Sequence, residues 1–164
     1  MSTPQPASEA YRSWNQVGGY FDGDGNVGLE AVKYILRFKL RFSDTWLPQV
    51  QTIKVFLNQE DISTSAIWHE REVGRLDAYR LEVSAVSSVL KAGKALLPCC
   101  VKKAGDLRIM IDYLEERITG NEAIERFNEE VRIGRRSGYL RDLTLPYPRS
   151  EGVRAKQLEN ARNA

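Results

Sequence analysis

Asp22 and Asp24 stand two residues apart in the run Val17-Gly18-Gly19-Tyr20-Phe21-Asp22-Gly23-Asp24-Gly25, each followed by glycine, at the end of a short apolar segment. Carboxylates are hard oxygen donors suited to divalent cations. Glycine carries no Cβ and tolerates φ > 0, so the pattern predicts a helix that stops abruptly and delivers a carboxylate where backbone must come close. Two plainer explanations compete. Asp-Gly is a common hairpin turn. A calcium loop of the EF-hand kind would use Asp22, Asp24 and Asn26, but its glycine position holds Val27 and its final glutamate position holds Lys33. Neither accounts for Gly18 and Gly19 inside the preceding helical run, where each costs about 1 kcal/mol against Ala. Paired glycines there imply that another backbone packs closely on that face.

The elements that position these acids follow from periodicity. Residues 1–7 read as a disordered arm, and Ser8 is a candidate cap for a helix with Tyr11, Trp14, Val17 and Phe21 on one stripe. Residues 26–43 read as two strands with a bend near 32–34. From Arg37 the alternation is clear, with Arg37, Lys39 and Arg41 on one face and Phe38, Leu40 and Phe42 on the other. Pro48 starts a helix through Val50, Ile53, Val55, Phe56 and Leu57. Residues 65–73 and 78–83 form a second hairpin around Gly74-Arg75-Leu76-Asp77, with His69, Arg71, Arg75 and Arg80 as outward groups. Helices follow over 84–94, 105–118 and from an Asn121 cap to about Ile133. Residues 134–150 are loop-like, and the tail from Glu151 reads as a solvated helix.

A chain of 164 residues with 42% hydrophobic and 28% charged residues has the size and composition of one globular domain. No apolar run is long enough to cross a bilayer and the N-terminus lacks a signal segment, so an intracellular, non-secreted protein with no membrane partner is expected. Cys99 and Cys100 are adjacent, which disfavours a mutual disulfide and suggests reduced core thiols. His69 is the only histidine, which excludes a His-rich metal centre. The net charge of +2 matters less than its distribution. Lys33, Arg37, Lys39 and Arg41 stand together with no acid between residues 32 and 41, whereas residues 112–130 are markedly acidic. Such a basic patch is the footprint of a phosphate-binding face.

The nonamer VGGYFDGDG resembles the motif of the LAGLIDADG homing endonucleases, and the order helix, hairpin, helix, hairpin, helix matches that family's core over about residues 8–118. The resemblance implies an α+β fold with an αββαββα core, an antiparallel saddle-shaped sheet and C-terminal helices. Residues 119–164 are then a helical extension of the same domain that buttresses the core, with Arg135, Arg136 and Arg149 as added phosphate contacts. It implies that Asp24 ends the motif helix and binds the catalytic metal, with the Gly23 carbonyl as a further ligand and Asp22 as a structural cap. Val17, Gly18, Tyr20 and Phe21 would meet a second motif helix. One metal-binding carboxylate per chain is too few for cutting two strands, so a single motif predicts a homodimer.

Lys102, narrowly ahead of Lys103, matches the basic residue that steadies phosphate or nucleophile, with Lys103 left to DNA contact. The family's water-organising Gln after the second strand is missing here. The register offers Thr45-Trp46, with Gln49 as the substitute. DNA contacts fall to Glu30, Arg37, Lys39 and Arg41 on one hairpin and His69, Arg71 and Arg80 on the other, along the major groove. The implied activity is site-specific double-strand cleavage of a long pseudo-palindromic DNA by an intron-encoded enzyme using Mg²⁺. Mn²⁺ would substitute, and Ca²⁺ would bind without supporting cleavage. An RNA-splicing maturase or a catalytically silent DNA-binding regulator on the same scaffold are the alternatives.

Overall fold

The computed structural model describes residues 11–33, 35–134, 159, 162 and 163. The expected arm at 1–7, the Ser8 cap, Tyr34 in the first bend, Arg135, Arg136, Arg149 and most of the tail from Glu151 lie outside the described residues.

Ser13, not Ser8, caps the first helix, α1 (Trp14–Asp24). Its hydroxyl accepts from the Gln16 amide at 3.3 Å, and Gln16 Oε1 accepts from the Arg12 amide at 2.7 Å. The first bond satisfies an amide that a helix start leaves unpaired, the second ties the residue before the cap to the first turn, and Ser13-x-x-Gln16 is their signal in the chain. Strands β1 (Asn26–Val32) and β2 (Ile35–Asp44) form an antiparallel hairpin that turns at Lys33, whose φ is 55°. After α2 (Leu47–Gln59) come β3 (Trp68–Glu70) and β4 (Ala78–Val83), then α3 (Val86–Leu96), a 3₁₀ turn at Leu97–Cys99, α4 (Ala104–Leu114) and α5 (Gly120–Arg132). Thr119 rather than Asn121 caps α5, in a capping box with Glu122.

The strands form one antiparallel sheet in the order β1-β2-β4-β3, so the fold is α+β as expected. Leu36, Phe38, Leu40 and Phe42 of β2 are buried, alternating with the basic residues. The helices α1, α2 and α3 all contact β2. Phe42 meets Phe21 of α1 at 5.3 Å, and Phe38 meets Tyr113 of α4 at 5.6 Å and Phe127 of α5 at 5.9 Å. One core therefore runs from the motif helix to α5.

The second hairpin is shorter than its sequence predicts. Residues 71–77 are all exposed and offer no face that a strand could bury, so β3 spans only Trp68–Glu70. Ser65 instead anchors β4 directly. Its amide donates to Glu82 O at 2.8 Å, and its hydroxyl accepts from the Glu82 amide at 2.9 Å.

β4 pairs with β2 only between Leu40 and Asp44. Beyond that stretch, the Leu36 amide donates to the buried Tyr113 hydroxyl at 2.9 Å. Tyr113→Phe is expected to strand this buried donor and cost about 1–3 kcal/mol, seen as a lower urea midpoint at unchanged slope. Among the described residues, no helix is long and apolar enough to cross a membrane.

Candidate active site

The motif helix divides its residues between two faces. Val17 and Phe21 are fully buried in the chain's own core. Gly18 faces the 3₁₀ turn, where a Cβ would stand 2.3 Å from Cys99 Cβ. The Cys100 thiol donates to Gly18 O at 3.6 Å. Burial, and then the charge of Asp22, push that thiol up to about 12, so it stays protonated. The close backbone packing expected at Gly18 is thus met within the chain. Of the four residues expected to meet a second helix, Val17, Gly18 and Phe21 point inward. Tyr20 is half-buried and donates to Ser43 O at 2.6 Å and Asp44 Oδ2 at 3.1 Å. The outward face carries Asn15, Gln16, Gly19 and Gly23, all exposed.

Glycine is required at position 25 for a steric reason rather than a conformational one. Gly25 has φ −76° and ψ 169°, which any residue adopts. A Cβ there, however, would lie 2.1 Å from Phe21 Cδ2. Asp24, the last residue of α1, is exposed and has no hydrogen-bond or ion-pair partner among the described residues. The helix C-terminus carries partial negative charge, so an acid there is unfavourable by about 0.3–1 kcal/mol, and a cation relieves both charges. Gly23 is exposed in the same last turn, where carbonyls lack partners within the helix.

Asp22 ties this helix end to the turn before α4. Its Oδ1 accepts from the Val101 amide at 3.1 Å and the Lys103 amide at 2.8 Å. It thus pins the turn that precedes α4 to the end of α1. The turn so held carries both candidate lysines, on different sides. Lys102 is exposed and lines a cleft with Gly105, Arg108 and Arg126 between α4 and α5, whereas the charge of Lys103 reaches Cys100 beside α1. Asp22→Ala is expected to remove both bonds and cost about 0.5–1.5 kcal/mol, because Val101 is exposed and water can take its amide. Faster hydrogen exchange confined to the amides of Val101 and Lys103 would verify it.

Gln49, in the first turn of α2, donates through Nε2 to the Tyr11 hydroxyl. Beside this pair stands a carboxylate absent from the sequence-based set, Asp44. It ends β2, accepts from Tyr20, and takes the Trp46 amide on Oδ1 at 2.8 Å. Burial, then Asp44, then Asp24 hold the Tyr20 hydroxyl far above its usual range. Tyr20 therefore stays a donor within the field of both acids. The signal for Asp44 was its place at the strand end, one residue before the Thr45-Trp46 pair.

Register sorts the outward strand residues. Arg41 lies opposite Glu82, and Arg80 lies opposite Ser43 and Trp68, so Arg37, Lys39, Arg41, Arg80 and Glu82 share one face with Glu30. His69 lies opposite Tyr79 and therefore faces the other way from Arg80. Its ring stacks on Tyr79 at 4.7 Å, its Nε2 is 3.0 Å from Asp77 Oδ2, and its Nδ1 accepts from Arg71 Nε at 3.4 Å. The grouping of His69 with Arg80 on one outward face is thus corrected: strand parity separates them. Arg80 is itself engaged, with both Nη atoms 2.9 Å from the Glu70 carboxylate.

This arrangement, a motif helix ending beside an antiparallel four-stranded sheet with helices on its inner face, is the LAGLIDADG homing-endonuclease fold. In particular, the chain is similar to the homing endonuclease I-CvuI in complex with its target in the presence of Ca, with a TM-score of 0.55 and 16% identity over 89% of this chain and 94% of that one. I-CvuI with the I-CreI target in the presence of Mg, its DNA not cleaved, gives 0.54 at 16% identity over the same shares, 89% and 94%. The archaeal intron-encoded homing endonuclease I-Vdi141I complexed with DNA gives 0.52 at 11% identity over 92% of this chain and 97% of that one. No protein-family model and no curated protein matches the sequence.

Proposed function

We propose that the protein is a site-specific double-strand DNA endonuclease that works as a homodimer with a divalent cation. The observation that carries this is Asp24, exposed and unpartnered among the described residues at the negative end of the motif helix. The donors at hand, the Asp24 carboxylate and the Gly23 carbonyl, are hard oxygens that suit Mg²⁺, with Mn²⁺ as a substitute and Ca²⁺ as a non-productive occupant. Among the described residues, no group of three or more His, Cys, Asp or Glu could hold a metal within one chain. A second Asp24 across a two-fold axis completes the donor set. A metal bound there supplies polarisation of the scissile phosphate, an activated water and stabilisation of the leaving 3′ oxygen.

The chain's own residues do the remaining work. The face with Arg37, Lys39 and Arg41 binds the duplex through phosphates and base edges, with Glu30 directly opposite Arg37. Asp22 holds the lysine turn against α1, and Lys103, on the α1 side, is the better placed to offset charge on the phosphate, with Lys102 turned to the neighbouring cleft. Asp44 accepts from Tyr20, whose hydroxyl lies in the field of both Asp44 and Asp24, and is suited to holding the attacking water in place of Gln49. The subunits meet through the outward face of α1, where Gly19 and Gly23 would each carry a Cβ into open space among the described residues and so let two helix axes approach closely. The DNA complexes of the similar structures support the choice of duplex DNA, and the intron-encoded neighbour supports an intron-borne origin.

Incubation with a randomised duplex library tests this. Cuts at one long pseudo-palindromic sequence are expected in Mg²⁺ and Mn²⁺, with binding but no cuts in Ca²⁺. Specific binding without nicking in Mg²⁺ would instead indicate a silent DNA-binding regulator. Preference for structured RNA would indicate a maturase.

A further inference from the structure

We propose that Arg41 reads a guanine in each DNA half-site, oriented by Glu82 and lying in the room that Gly28 leaves beside it. The inference rests on the DNA-endonuclease function proposed above. Arg41 on β2 lies directly opposite Glu82 on β4, and its Nε donates to Glu82 Oε1 at 3.1 Å. On the β1 side, a Cβ at Gly28 would stand 3.1 Å from Arg41 Cζ and 3.3 Å from both Nε and Nη1. The guanidinium thus occupies space that any other residue at position 28 would contest. Glu82 is no mobile surface acid. Its side chain is 13% exposed, its other oxygen lies 3.8 Å from Lys39 Nζ, and Ser65 pins its backbone through two hydrogen bonds.

Three consequences follow from that geometry. An arginine side chain has many rotamers, and the bond to Glu82 restricts them before any ligand binds. With Nε committed to Glu82, the two Nη groups have no protein acceptor among the described residues and form the fork that matches guanine O6 and N7 in the major groove. The adjacent Glu82 carboxylate repels phosphate, which directs the Arg41–Glu82 unit to a base edge, where there is no formal charge. The other arginines on the face lack this combination of an acid partner and free Nη groups. Arg37 is exposed with no acid partner among the described residues, so it is suited to phosphate, and the Nη groups of Arg80 are already spent on Glu70.

Base preference at every half-site position, read by sequencing duplexes retained in Ca²⁺ from a library of single-position variants, tests the assignment. Wild type is expected to prefer guanine at one position per half-site. Arg41→Lys keeps the charge and loses the fork, so that preference should fall by about tenfold while other positions hold. Glu82→Gln should blunt the same position partially. Arg37→Ala should weaken all sequences alike and reduce the salt slope by about one phosphate's worth, roughly 0.9. A preference profile unchanged in Arg41→Lys, or guanine preference lost instead in Arg37→Ala, overturns the role of Arg41 and leaves the endonuclease function standing. Wild type with no sequence preference at all overturns both.

Discussion

Asp24→Asn is expected to abolish strand cleavage and leave duplex binding intact. The amide keeps the shape of the side chain and removes its charge, so a cation at the end of α1 loses its anionic ligand. Metal-based stabilisation of a phosphoryl transition state is worth several kcal/mol, and each 1.36 kcal/mol is tenfold in rate, so single-turnover cleavage should drop by at least about 10³-fold. Binding in Ca²⁺ should change only a few-fold, because the contacts on the strand face are untouched. The variant should also be slightly more stable than wild type, by about 0.3–1 kcal/mol, since a carboxylate at the negative end of a helix is unfavourable. That opposite pair of signs, loss of activity with gain of stability, marks a functional acid rather than a structural one. Cleavage within tenfold of wild type would remove Asp24 from the metal site.

Gly25→Ala should give the largest stability loss of any single methyl added to the motif. The extended backbone at Gly25 accepts alanine, so the cost is collision alone. The new Cβ would stand 2.1, 2.6 and 2.7 Å from Phe21 Cδ2, Cγ and Cε2. That ring is fully buried and packs on Phe42 at 5.3 Å, so it has little room to retreat. Overpacking of this kind costs about 1–3 kcal/mol, and the upper end applies where a ring must move. Because Asp24 immediately precedes the clash, cleavage should fall together with the urea midpoint. Phe21→Leu makes room, so the double mutant should recover part of the loss, with a coupling energy on the order of 1 kcal/mol in a double-mutant cycle. Additive effects would show that the ring contact is not what requires glycine at position 25.

Several parts of this molecule were legible along the chain because they are properties of single segments. The alternation of Arg37, Lys39 and Arg41 with Phe38, Leu40 and Phe42 needs only a period of two, and it is realised in β2 as a basic outer face over a buried one. The stripe of Trp14, Val17 and Phe21 needs only the helical period, although Tyr11, read as its first member, precedes the helix, and the bend after Val32 needs only a break between two apolar runs. The helix start was missed by five residues because Ser8 and Ser13 both precede the stripe, and only Ser13 has Gln16 three positions on to complete the cap.

What the chain could not disclose is which segment answers which. Gly18 and Gly19 look alike as letters, yet Gly18 takes the approach of Cys99 while Gly19 faces open space. That division depends on the 3₁₀ turn some eighty residues away. Glu82 and Arg80 were visible on one strand, but not that Glu82 would fall opposite Arg41, or that His69 would face away from Arg80. A register shift of one residue reverses every such assignment. Asp22 likewise shows its purpose only when the amides of Val101 and Lys103 arrive at its oxygen. The sequence by itself determined the motif helix, its terminal acid and the basic strand face, because local periodicity and residue chemistry suffice for each. Tertiary structure alone decided which glycines are spent on packing, which acids hold other groups in place and which arginines keep a free fork, because those depend on long-range register and close approach between distant elements.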